Sequence, residues 1–150
     1  MRRIFLTFIA IVALCTGTSF AQVTRGTIKV EVLGVRNSDG DVKCALFNGE
    51  PGFPDDSSKA FKTTSGTIQN GRAVCDFTQV LPGDEYAISV FHDENGNGQL
   101  DSFLGIPKEG VGASNNPSMT FGPPKYDEAK FKYSGGTQPV TINLHYMSPF

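Results

Sequence analysis

The 150-residue chain has no tryptophan, only two histidines and three cysteines, and charged residues make up 19% of it. Each scarcity excludes something. Histidines and cysteines this few, with no CxxC pair and no Cys/His cluster, exclude zinc-ribbon and thioredoxin-like chemistry. The chain also lacks a GxSxG elbow, an HExxH pair and a GxxxxGK[ST] loop, so it carries none of the usual hydrolase, metalloprotease or nucleotide-binding signatures. A formal net charge of −2 gives no field that would gather nucleic acid or anionic lipid. No long amphipathic helix is apparent, and no apolar run approaches the roughly 20 residues that a spanning helix needs. Gly 17 and Pro 9 mark instead a loop-rich globular domain of single-domain length.

The N-terminus reads as a cleavable export signal. Met1-Arg2-Arg3 is a basic start, Ile4 to Leu14 is an apolar run of about 11 residues, and Ser19-Phe20-Ala21 places small residues at the −3 and −1 positions of a cleavage site. The expected organisation is a signal peptide over 1–21 and one domain over 22–150. Leu14 stands before Cys15, where a lipoprotein signal wants a small residue, so lipidation is not expected. Loss of Arg2 and Arg3 takes the net charge to −4, a balance that suits a cation better than an anion. The expected location is the periplasm or the extracellular space, with no transmembrane segment after cleavage. Cys44 and Cys75 then remain, and in an oxidising compartment they are expected to form a disulfide, with two separate buried thiols as the alternative.

Beyond residue 22 the apolar period is two. Ile28/Val30/Val32, Val42/Cys44/Leu46, Ala73/Cys75/Phe77, Tyr86/Ile88/Val90 and Val140/Ile142/Leu144 each share one face of a strand. Turn chemistry stands between them at Asn37-Ser38-Asp39-Gly40, Gln69-Asn70-Gly71, Leu81-Pro82-Gly83 and Ser134-Gly135-Gly136. Shorter strands around Lys59 to Thr64 and Ala129 to Tyr133 bring the count to about seven. The expectation is an all-β fold, an antiparallel β-sandwich of immunoglobulin-like or transthyretin-like type, with one long irregular loop after the strand that follows Leu-Pro-Gly. That loop, His92 to Tyr126, is long enough to be functional if ordered.

It contains the sharpest motif of the chain, Asp93-Glu94-Asn95-Gly96-Asn97-Gly98-Gln99-Leu100-Asp101. Asp93, Asn95, Asn97 and Asp101 put oxygen-bearing side chains at positions 1, 3, 5 and 9 of an EF-hand-type calcium loop. Gln99 offers its backbone carbonyl at position 7, and Gly98 fills position 6, where the chain turns sharply. Calcium takes six to eight hard oxygen ligands, which alternate residues of a tight loop can supply. Position 12 is Leu104 rather than the bidentate Glu, so a further ligand must come from elsewhere; Glu109 and Asp41 are sequence-distant candidates that the spacing does not favour. With two Asp and two neutral Asn the expected affinity is weak, about 10⁻⁴–10⁻³ M. The competing reading is a turn whose Asx side chains cap their own backbone without an ion.

The remaining candidates are His92, which touches this loop, and the aromatic residues Phe103, Phe121 and Tyr126 in the irregular segment. His92 as a hydrogen-bonded wall, and the rings as a satellite core under the loop, are the plainer readings; rings stacking on a glycan or gripping a protein partner is the functional one. His145 alternates against Leu144 and Tyr146 and is expected to face solvent. The resulting expectation is an exported, non-catalytic module whose calcium-ordered segment His92–Tyr126 meets a protein or glycan partner. The alternative is a carbohydrate-binding or hydrolytic protein using the same segment.

The run Leu81-Pro82-Gly83-Asp84-Glu85-Tyr86-Ala87 resembles the turn before a core strand in transthyretin-like and carboxypeptidase-regulatory-like sandwiches. Phe91 to Asp101, then Leu104-Gly105-Ile106-Pro107-Lys108-Glu109-Gly110, Ser114-Asn115-Asn116 and Gly122-Pro123-Pro124, closely resemble a family of exported bacterial proteins, domain of unknown function 2141. That resemblance spans nearly all of the chain after residue 22 and implies a secreted or periplasmic small β-domain, with no known activity. The loop also resembles the calcium loops of bacterial surface-adhesin B-type repeats, a short likeness that bears only on the ion.

Overall fold

The computed structural model describes residues 23–147. The expected signal peptide over 1–21, Cys15 within it and the last three residues lie outside the described residues. Strands β1 (Gly26–Leu33), β2 (Asp41–Phe47), β3 (Lys62–Gly66), β4 (Ile68–Gln69), β5 (Arg72–Val80) and β6 (Glu85–Asp93) form the first two thirds. Then follow β7 (Ser102–Phe103), β8 (Ile106–Pro107), β9 (Val111–Ala113), a one-turn helix α1 (Tyr126–Ala129), β10 (Phe131–Lys132) and β11 (Thr137–Asn143). Among the described residues no helix is long and apolar enough to cross a membrane.

One sheet runs in the order β11-β1-β5-β4. The other runs β10-β6-β2-β3, with β9 extending the β6 edge further along. The facing surfaces follow from the alternation in sequence: Ile28, Val30 and Val32 of β1 and Cys75 of β5 are fully buried, as are Val42 and Leu46 of β2 and Ile88 of β6. Burying each such side chain contributes roughly 1.5–3 kcal/mol. The expected sandwich is therefore present, and so is the bond across it: Cys44 of β2 and Cys75 of β5 form a disulfide between the two sheets.

The structure differs from the sequence expectation in three local respects. The strand expected from Lys59 begins only at Lys62, because Asp56 accepts the Ser58 N–H and caps a 3₁₀ turn over Ser57–Lys59. The strand expected over 129–133 shrinks to Phe131–Lys132, since α1 occupies the approach to it. The pairing is also not wholly antiparallel, as β1 and β11 run parallel with Thr27 opposite Thr137 and Leu33 opposite Asn143.

The outer face of β6 is covered as well, which explains why its burial pattern does not alternate. Ala87 of β6, Ala113 of β9 and Ala129 of α1 meet there, flanked by Phe53, Met119 and Tyr126. Small side chains let these backbones approach closely, and Phe53 bridges by edge-to-face contacts to Phe47 at 5.4 Å and Tyr126 at 5.9 Å. Hence the stretch after β6 is ordered, and it emerges from the end of the sandwich where β2 begins and β6 ends.

Candidate functional site

At that end Asp41 and Asp93 stand opposite each other across the β2–β6 pair. Gly40 turns the chain into β2 at φ +63°, and a side chain there would collide with the Asp93 carbonyl oxygen, so only glycine allows this approach. Asp93 has no exposed surface, and its charge is met locally. Its Oδ1 accepts the Asn97 N–H at 3.0 Å, its Oδ2 accepts the Gly98 N–H at 2.8 Å, and the Lys43 ammonium lies 3.8 Å from Oδ2. Lys43 is held chiefly by Asp41, 2.9 Å away, and this bond raises its pKa above the usual lysine value against an opposing effect of burial.

The side chains named from the motif do come together. Asn95 Nδ2 donates to Asp101 Oδ2 at 2.6 Å and Asn97 Nδ2 donates to the same oxygen at 3.2 Å. Asn95 Oδ1 accepts the Asn97 N–H and Asn97 Oδ1 accepts the Gln99 N–H, two successive Asx turns. Gln99 itself is exposed. The loop is thus closed by its own side chains. Asp101 Oδ2 thus has both lone pairs engaged, while the Asn95 and Asn97 oxygens each keep one that a cation could share. Among the described residues no three His, Cys, Asp or Glu side chains form a metal-holding group. Within the same corner Asp41 Oδ1 is buried and has no hydrogen-bond partner.

Glu109 has a position in the loop that sequence spacing does not reveal. Nearly buried, it accepts the Glu94 N–H at 2.9 Å and the Asp101 N–H at 3.0 Å, clamping the start and the end of the loop with one carboxylate. No local pattern announces a bond from a carboxylate to backbone eight and fifteen residues away.

A second set of contacts walls the loop. Arg36 makes two bonds to Glu94, 2.6 and 2.9 Å, and stacks on the Tyr146 ring at 4.6 Å. This guanidinium holds Glu94 below the ordinary glutamate pKa, outweighing the upward effect of partial burial. His92 is fully buried, with Nε2 2.7 Å from the Asp39 carbonyl and Nδ1 2.9 Å from the Tyr146 hydroxyl. A carbonyl only accepts, so Nε2 carries a proton toward Asp39, while Nδ1 faces the Tyr146 hydroxyl, which accepts the Arg36 N–H, with Glu94 Oε1 3.4 Å away. Burial raises the Tyr146 pKa. With both ring nitrogens engaged, His92 is a wall of the loop.

The other candidates are dispersed. Tyr126 is half-buried against Phe53 and donates to the Glu85 carbonyl. It lines an open hollow of about 540 Å³ with Asn48, Asp84 and Glu85 at the opposite end of the sandwich. Phe121 is fully exposed, and His145 is exposed next to its bridge to Val111. Phe103 stands on the β7–β8 hairpin, whose side chains Phe103, Leu104 and Ile106 are all exposed.

Comparison with known proteins places this arrangement. No curated protein and no solved structure matches the chain. A family model described as "Uncharacterized protein conserved in bacteria (DUF2141)" matches residues 30–141, which run from β1 into β11 and take in the loop, the Glu109 clamp and the hairpin. Matched over most of its length, the chain belongs to this bacterial family.

Proposed function

We propose that the chain is an exported, non-catalytic β-sandwich module of transthyretin-like kinship, in which loop 93–101 takes a calcium ion at low affinity and the ordered segment His92–Tyr126 meets a partner. Export is supported by the leader-like residues 1–21 and by the inter-sheet disulfide, since such bonds persist mainly outside the reducing cytosol. The observation that supports the ion is the buried Asp41 Oδ1, which has no hydrogen-bond partner among the described residues and stands across the strand pair from the buried Asp93.

The donor set fits a hard cation. Asp93, Asn95, Asn97 and Asp101 supply side-chain oxygens, Gln99 a carbonyl, and the unpartnered Asp41 Oδ1 a further acceptor in the same corner. Low charge and the neighbouring Lys43 keep the affinity in the range of about 10⁻⁴–10⁻³ M.

The test is thermal unfolding of the purified protein in excess chelator and then across a calcium series, with magnesium as control. A site bound only in the folded state adds about 1.4 kcal/mol at ten times its Kd. Asp93→Ala and Asp101→Ala remove that shift. A midpoint that calcium does not move means that Asp93 to Asp101 is a self-capped turn.

A second reading, glycan binding or hydrolysis, draws on the hollow in which Tyr126 faces Asp84 and Glu85. It predicts a change in tyrosine fluorescence on adding a cognate glycan.

A further inference from the structure

The hairpin above the loop is built unlike the rest of the surface. Phe103 pairs with Ile106 and Ser102 with Pro107, so Leu104 and Gly105 form a two-residue turn, with φ +51° and +77°. Such turns favour Asn, Asp or Gly at both positions. Here a leucine holds the first of them, and it is 87% exposed, with Phe103 at 64% and Ile106 at 53%. The five residues Phe103 to Pro107 carry no side-chain hydrogen-bonding group. Among the described residues the ribbon pairs with no other strand, and a Cβ built at Gly105 would meet nothing within 4 Å, so the tip stands clear of the described body.

We propose that this hairpin is a lipid-docking finger: Phe103, Leu104 and Ile106 enter the interfacial layer of a phospholipid surface while Lys108 meets the headgroup phosphates. The inference rests on the reading that the His92–Tyr126 segment is what the module presents, and it names the partner. A membrane interface asks only for apolar side chains on a backbone already hydrogen-bonded, which this two-stranded ribbon supplies.

One local charge agrees with this placement. The Lys108 ammonium stands 5.9 Å over the Phe103 ring, and among the described residues it makes no ion pair. A free cation thus sits beside the apolar tip, where phosphates would lie. The base is held in place, because the Lys108 N–H donates to the Asp101 carbonyl and Asp101 in turn donates to Glu109. The finger is therefore presented already formed. Three short side chains bind no more tightly than a single acyl chain, whose partition constant is about 10⁴ M⁻¹, so the contact is reversible.

The test is flotation of the purified protein with vesicles of phosphatidylcholine, and of phosphatidylcholine with one-fifth phosphatidylglycerol, at millimolar lipid, in chelator and in calcium. The unsubstituted protein floats with vesicles. Leu104→Asn suits the turn better than leucine, so it keeps the thermal midpoint while lowering the partition constant about five- to tenfold. Lys108→Glu lowers it further on the vesicles containing phosphatidylglycerol.

Failure of the unsubstituted protein to float, or equal flotation of Leu104→Asn, overturns the proposal. So does a concentration-dependent dimer that Leu104→Asn abolishes, which would make the finger a contact between copies. The calcium shift in thermal midpoint is read on the same samples. A shift without flotation leaves the calcium module standing and sinks the finger; flotation without a shift supports the finger and removes the ion.

Discussion

Glu109 holds Glu94 by its backbone, at 2.9 Å, and with its other oxygen holds Asp101 at 3.0 Å, so one nearly buried side chain fixes both ends of an eight-residue span. Glu109→Ala leaves two inward N–H groups without acceptors, a loss of about 1–3 kcal/mol. Glu109→Gln keeps one acceptor and falls between. Urea midpoints give the size of the loss. Amide exchange gives its place: Glu94 and Asp101 should exchange faster in Glu109→Ala while the amides of β1 and β5 keep their relative order.

Lys43 sits 3.8 Å from Asp93 Oδ2 and so opposes any second cation in the loop. Lys43→Gln is expected to tighten calcium by roughly 2–10-fold, more at low salt than at high. Calorimetry or the calcium-dependent thermal midpoint measures it. Weaker calcium in this variant would mean that the ion, if bound, does not approach Asp93.

The Arg36–Glu94 pair makes the fold acid-sensitive. Because Arg36 depresses the Glu94 pKa in the folded state, the pair contributes its full stability above the ordinary glutamate value, near 4.5. That contribution is lost as pH falls through the lower folded value. Thermal midpoints taken from pH 6 down to about pH 3 should therefore drop more steeply for the unsubstituted protein than for Glu94→Gln, which has no such proton to take up.

The Cys44–Cys75 bond closes a sequence separation of 31 residues and joins the two sheets. Its removal in a Cys44→Ala/Cys75→Ala variant costs about 3–4 kcal/mol in the chain-entropy model. Both positions are almost wholly buried, so reductant alone should act slowly on the folded protein and quickly once urea opens it. Denaturation midpoints with and without reductant check both statements.

Much of the framework is legible in the sequence because β1, β2, β5, β6 and β11 each carry inward residues at a period of two. Period alone names no partner, which is why the parallel β1–β11 pairing was not foreseeable from Ile28, Val30 and Val140. Strands of two residues carry no period at all. The β7–β8 hairpin is further hidden because Leu104 stands where a turn normally advertises itself with Asn or Gly. In the site, the motif residues Asp93, Asn95, Asn97 and Asp101 are legible by spacing, and they do meet, though Asn95 and Asn97 reach Asp101 through their amide N–H groups and turn their oxygens to the loop's own backbone. Arg36, Lys43, Glu109 and Tyr146 are not, since each acts through a contact brought about by the sandwich. The exposed ring of Phe103 and the buried ring of His92 look alike in sequence, and only packing separates them.

The parallel register of β1 and β11 has a mechanical meaning. Gly26 lies at one pole of the sandwich and Asn143 at the other, on neighbouring strands that point the same way through seven paired positions. Tension between these points drags the strands along their common axis, so their hydrogen bonds resist together instead of opening one after another. Force spectroscopy should therefore find the fold stiffer along that direction than when the load is placed across β3.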